Sequence, residues 1–231
     1  MNEIKCNVTK SINVFIKAKD ESVDLNQPLY AVNWFSSKIA WVYHLYNMLA
    51  SRSVKKVGGE GFFKGKIVKT ILDQNNSRRD LILIVRYPNG TGFKNLMENT
   101  YFKIVGLLRV AAVKKFSFGF TSKQMVSESS LKDNLYYVVH HFKTTNKAIY
   151  TRFNELVNDT ISIKYSGKMV AELYSKKNDK EVTEVPNIMD GIVIYQSKTE
   201  GVLLDMIAKS EYQELITTLD SSYIGTVKRI F

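Results

Sequence analysis

The chain has 231 residues, 45% apolar and 24% charged, as expected of an ordinary globular protein with one large or two small domains. No apolar run is long enough to cross a bilayer, and the start, MNEIKCNVTK, lacks the apolar stretch of a secretory signal. The formal net charge is +11, yet Arg supplies only 7 of the 33 basic residues and the lysines are scattered, so a nucleic-acid surface is a weaker expectation than a Lys-rich solvated one.

The single cysteine, Cys6, excludes an intramolecular disulfide and a multi-cysteine metal site, and a reducing, cytoplasmic location is expected. Residues 1–28 form an N-terminal extension in which SINVFIKAKD (11–20) has the pattern of an extra strand.

From residue 29 the elements follow one another in a regular order. AVNWFSSK (31–38) is a strand. Tyr43, Tyr46 and Leu49, spaced i, i+3, i+6, mark one face of a helix. The Gly58-Gly59 pair makes a turn into FFKGKIVKTIL (62–72), a second strand. RDLILIVRYPNGTGFKNLMEN (79–99) is a strand running through Arg86-Tyr87-Pro88 into a helix. VKKFSFGFT (113–121) is a fourth strand. The Ser-rich piece 122–134 is a linker.

Residues 135–231 repeat this order. Val32 and Phe35 align with Val139 and Phe142, and Tyr43, Tyr46 and Leu49 with Tyr150, Phe153 and Leu156. Gly65-Lys66 aligns with Gly167-Lys168, and Asp80, Ile82 and Ile84 with Asp190, Ile192 and Ile194. Phe102 falls on Tyr212, and 113–121 on 223–231. The length changes fall in turns, one at Gly58-Gly59 and one in the charged run 176–187. Each copy has the order β-α-β-β-α-β, an α+β ferredoxin-like unit with a four-stranded antiparallel sheet under two helices. The other face of so apolar a sheet needs a cover, which the second copy supplies. The expectation is two tandem repeats, 29–121 and a degenerate 135–231, packed within one chain as a pseudo-dimeric α+β barrel, with further association left open.

The first copy resembles the dimeric α+β barrel superfamily, nearest to small bacterial barrel proteins of unassigned function. The likeness rests on Val32-Asn33-Trp34-Phe35, Gly58-Gly59, Gly65-Lys66, Arg86-Tyr87-Pro88-Asn89, and Phe93, Leu96 and Phe102. The second copy has Gln196-Ser197-Lys198 in place of Arg86-Tyr87-Pro88 and lacks the Gly-Gly turn, which weakens any reading with two equivalent half-sites. The resemblance implies an interior cavity. It also implies a range of activities, among them cofactor-free monooxygenation, lactone isomerisation, polyketide cyclisation and haem chemistry, among which fold does not choose.

The chemistry-bearing candidates are few. His140 and His141 are adjacent on a strand and point to opposite faces, so they do not converge on one ligand. If Trp34 packs toward the helices, Asn33 and His140 face the barrel and become its polar pair, with the imidazole as base or hydrogen-bond donor. The ordinary alternative is a histidine satisfied by a core partner. Arg86 at the rim would hold a carboxylate, or pair with Asp80 or Glu98. Tyr30, Tyr87 and Tyr137 would line the pocket or simply pack. His44 has no ligand cluster around it, and neither a metal nor a cofactor is expected. Gly58-Gly59-Glu60-Gly61 is not a phosphate loop.

The function these residues imply is a small-molecule-binding protein or cofactor-independent, monooxygenase-like enzyme. Its ligand would be apolar or aromatic with a carbonyl, phenol or carboxylate, and no membrane or nucleic acid is needed. The rivals are a non-catalytic interaction scaffold and, more weakly, nucleic-acid binding through the basic surface.

Overall fold

Strand β1 (Leu29–Ser37) is buried on both faces, and the rest of the fold follows from covering it. Its neighbours in the chain are α1 (Ala40–Lys56), β2 (Glu60–Asp73), β3 (Leu81–Tyr87), α2 (Gly90–Glu98), α3 (Thr100–Ala112) and β4 (Val113–Ser122). After them come β5 (Tyr136–Lys143), β6 (Gly191–Ser197), α4 (Glu200–Ala208), α5 (Ser210–Thr217) and β7 (Ser221–Arg229). The computed structural model describes residues 26–74, 78–122, 135–144 and 191–231. Several expected features lie outside the described residues: the strand at 11–20, most of the linker, the helix around Tyr150–Leu156, the strand with Gly167-Lys168 and the loop 176–187.

The described strands form one antiparallel sheet in the order β4-β1-β3-β2-β7-β5-β6. The join between its two parts is the β2–β7 ladder, running from Gly65 opposite Arg229 to Asp73 opposite Tyr223. It demands a glycine. A Cβ on Gly65 would lie 2.1 Å from Val227 Cγ1 and 3.2 Å from the Phe63 ring.

Five helices among the described residues cover one face of the sheet. Helices α1, α2 and α3 bury Phe35, Tyr43, Tyr46, Tyr87 and Phe93. Helices α4 and α5 bury Phe142, Tyr195, Leu203 and Tyr212. On the opposite, inner face, Val32, Trp34 and Ile84 from one part of the sheet pack with Val139, Ile194 and Tyr223 from the other. The fold is mixed α+β, as expected.

Local chemistry explains the element ends. Gly58 takes φ +74 just after α1, with its N–H donating to Lys55 O. Asn89 caps α2 by accepting from Gly92 N–H at 2.8 Å, and Asn99 caps α3 by accepting from Phe102 N–H at 2.9 Å. The single helix expected through Phe93, Leu96 and Phe102 is therefore two, broken at Asn99, where ψ is 119°. A similar break separates α4 from α5 at Lys209, where ψ is 143°.

Candidate binding site on the inner sheet face

Strand parity decides which side chains share a surface. On β1, Tyr30, Val32 and Trp34 belong to the inner cluster, whereas Leu29, Ala31 and Phe35 belong to the helix-side clusters. Asn33 therefore faces the helices. On β5, Tyr137 and Val139 are inner and Val138 and Phe142 are helix-side, so His140 faces the helices and His141 the interior. This reverses the expected arrangement, in which Asn33 and His140 looked into the barrel and Trp34 away from it. The sequence pattern left the choice open because both faces of these strands are apolar.

Both helix-side residues have structural partners. Asn33 Nδ2 donates to Leu83 O at 3.2 Å and to Ala31 O at 3.3 Å. His140 is fully buried, with Nδ1 2.7 Å from Tyr212 Oη and Nε2 2.6 Å from Ser222 Oγ. Tyr212 in turn donates to Tyr195 Oη at 2.9 Å. With its hydroxyl proton so used, the Tyr212 oxygen accepts from His140 Nδ1–H, and the bare Nε2 accepts from Ser222. Burial, with a smaller contribution from His141, drives the His140 pKa down to about 3, which keeps the imidazole neutral.

The inner face carries a different group. His141 lies flat on Trp34, with ring centroids 4.2 Å apart and planes 10° from parallel. Tyr223 leans on the same indole at 4.9 Å, and the buried Arg79 guanidinium stands over it at 5.5 Å. Neither ring nitrogen of His141 has a hydrogen-bond partner among the described residues, nor does Trp34 Nε1. Burial, then the nearby Arg79 charge, brings the His141 pKa down to about 3. The neutral ring thus offers one N–H donor and one bare nitrogen acceptor beside the indole N–H. All three nitrogens are sealed in this structure. A molecule presenting an acceptor and a donor on an apolar body would reach them only where the packing around the wall opens.

The other expected ligand residues divide. Tyr30 and Tyr137 belong to the inner cluster, against Phe62 and Phe63 respectively. Burial raises the Tyr30 phenol pKa, against the opposing effect of Arg86. Arg86 sits across from Tyr30 at the strand end and pairs with Glu60 at 2.6 Å, not with Asp80 or Glu98. Tyr87 is buried on the helix side against Phe93, away from the inner face, and its hydroxyl is shifted upward by burial. His44 is exposed on α1. Among the described residues no group of three or more His, Cys, Asp or Glu side chains gathers to hold a metal.

Sequence reasoning placed Trp34 toward the helices and did not single out Arg79 or Tyr223 as neighbours of its ring. The signal for Arg79 was the Arg78-Arg79 doublet before an apolar strand, in a chain that has so few arginines.

Known structures resemble this arrangement of sheet and helices. A candidate monooxygenase from Fusobacterium nucleatum superposes with a TM-score of 0.54 at 14% identity, covering 90% of this chain and 94% of that one. An anthrone oxidase-like protein gives 0.51 at 10% identity, covering 93% of each chain. A double mutant of the chlorite dismutase from Candidatus Nitrospira defluvii gives 0.50 at 11% identity, covering 91% of this chain and 95% of that one. The fold is that of the dimeric α+β barrel proteins. No protein-family model matches the sequence, and no curated protein matches it either. At these identities the barrel likeness is one of fold, and the inner face of the barrel is where its own residues must speak.

Proposed function

We propose that the protein binds a small organic molecule inside the barrel, against the Trp34–His141 wall, as a carrier or as a cofactor-independent enzyme. The observation that carries this reading is the buried His141 imidazole, whose two nitrogens lack a hydrogen-bond partner among the described residues. A buried polar group left so costs about 1–3 kcal/mol, and a ligand that supplies the partners removes that cost. Tyr30, Tyr137 and Tyr223 on the same face favour an aromatic ligand, with a carbonyl or phenol to meet His141 and Trp34 Nε1–H.

The site is single and asymmetric. Trp34 and His141 occupy aligned positions in the two halves of the chain, and the helix breaks at Asn99 and Lys209 are likewise aligned. Both facts support a tandem ferredoxin-like duplication whose halves have diverged into one shared site.

The test uses a Trp41→Phe background, which leaves Trp34 as the sole indole. Quenching of Trp34 fluorescence is titrated with a panel of hydroxylated aromatic ketones. Saturable quenching that His141→Phe abolishes and His140→Phe leaves intact is the expected result. A flat response across the panel, with no small molecule carried in native mass spectra of the purified protein, turns the reading to a scaffold. That second reading has its own observation in the exposed apolar side chains of α1 and α3.

A further inference from the structure

Helix α3, TYFKIVGLLRVAA, is apolar nearly all the way round, a composition that belongs to a helix covered on every side. Phe102, Val105, Leu108 and Ala112 are covered by α1 and the sheet. The opposite side is not. Every exposed residue of α3 (Thr100, Tyr101, Ile104, Leu107, Val110 and Ala111) is uncharged, and Ile104, Leu107 and Val110 are 58–62% exposed.

Helix α1 extends this surface. Lys38 N–H and Ile39 N–H both donate to Ala112 O, which sets the start of α1 beside the end of α3. There α1 presents Trp41, 70% exposed, and one face further along Met48, 57% exposed. The same exposed stripe of α1 then turns cationic, with Arg52, Lys55 and Lys56. Neither helix carries an aspartate or glutamate, so all five of their charges, including Lys103 and Arg109, are positive.

We propose that this α1–α3 face docks on an anionic lipid surface. Ile104, Leu107, Val110 and Trp41 would enter the boundary between headgroups and acyl chains, and Arg52, Lys55 and Lys56 would meet the phosphates. Apolar insertion and basic attraction are the two signals a reversible membrane contact combines, and Trp and Tyr at such a face suit the headgroup level. The charge argues against a second copy as the occupant. An isologous contact would bring two all-cationic helix pairs together with no carboxylate on either. No helix among the described residues is long and apolar enough to cross a membrane.

The experiment is flotation of the full chain with vesicles of phosphatidylcholine alone or with a quarter phosphatidylglycerol, read together with tryptophan emission. Trp34 is buried and Trp41 exposed, so a blue shift absent from Trp41→Phe reports insertion of α1. Binding is expected only on the phosphatidylglycerol vesicles. It should fall about ten-fold in Ile104→Ser/Leu107→Ser, and with salt or in Arg52→Gln/Lys55→Gln/Lys56→Gln. These side chains are exposed, so a circular dichroism spectrum like that of wild type keeps the result interpretable. The His141→Phe variant should bind vesicles like wild type, which separates this surface from the barrel interior. No flotation, equal flotation on neutral vesicles, capture by an acidic polypeptide in place of vesicles, or a lipid-free dimer with Trp41 already blue-shifted would each overturn the proposal.

Discussion

The imidazole of His141 stacks on the indole of Trp34, and the two residues come from strands that lie far apart in the sheet order. They meet across the interior because each occupies the inner parity of its own strand. One position earlier on each strand, Asn33 and His140 turn to the helices and are satisfied there. Neighbouring histidines thus have opposite energetic roles, which separates their mutational behaviour.

Replacing His140 by Phe leaves the Ser222 and Tyr212 hydroxyls without their imidazole partner in a sealed core. The expected loss is about 2 kcal/mol, read as a lower midpoint in urea unfolding. Replacing His141 by Phe keeps the stacking shape and removes two partnerless nitrogens. That variant should be unchanged in stability or gain up to about 1 kcal/mol. Equal losses in both variants would contradict the different partners of the two rings.

The pH dependence follows from the same burial. In the fold both histidines titrate at about 3, whereas in the unfolded chain they titrate near the ordinary value of 6.5. Between those values the unfolded chain binds more protons, so stability rises with pH. The contribution is complete above about pH 6.5 and is lost as pH falls toward 3. Its slope is up to about 1.4 kcal/mol per pH unit for each histidine. Urea midpoints at several pH values should show this slope, reduced in His141→Phe. A flat profile from pH 4 to about 7 would refute neutral burial.

Gly65→Ala should disrupt the join between the two parts of the sheet, because its Cβ would overlap Val227. A loss of about 1–3 kcal/mol is expected. Adding Val227→Ala removes the clashing methyls, so the double variant should be more stable than the sum of the two single losses predicts. Simple additivity would show that Val227 is not the obstacle.

Lys115 is the non-glycine residue with positive φ, 49°, among those described, and it sits where β1 and β4 shift register between Trp34 and Ser36. Glycine takes that conformation without a Cβ penalty, though with a higher entropy cost. Lys115→Gly should therefore stabilise the protein by about 0.5–1 kcal/mol, visible as a higher melting temperature.

Element order was legible from the sequence because it depends on local pattern: apolar strands, the helical spacing of Tyr43 and Tyr46, and the Gly58 turn. The facing of the strands was not. Alternation carries information only when one face is polar, and β1 is buried on both. A lone Asn or His in such a strand looks like a pocket residue, whereas here each found its partners on the helix side. Arg79 was hidden for another reason. Its position over Trp34 comes from a loop meeting the interior, a contact between segments far apart in sequence. The helix break at Asn99 was readable, since Asn is a strong N-cap, but an unbroken apolar pattern masked it.

The β2–β7 ladder has a consequence for how the chain comes into being. It pairs Asp73 with Tyr223, 150 positions later. On the ribosome, β2 therefore emerges long before the strand that will cover its outer edge. A waiting edge invites mispairing with other nascent chains. β2 carries Lys64, Lys66 and Lys69, the kind of charge that discourages such pairing. Lys66 and Lys69, exposed in the finished sheet, put charge on that waiting edge during assembly. A chain with Lys66 and Lys69 made apolar should form the same sheet once complete, yet aggregate while it is being synthesised.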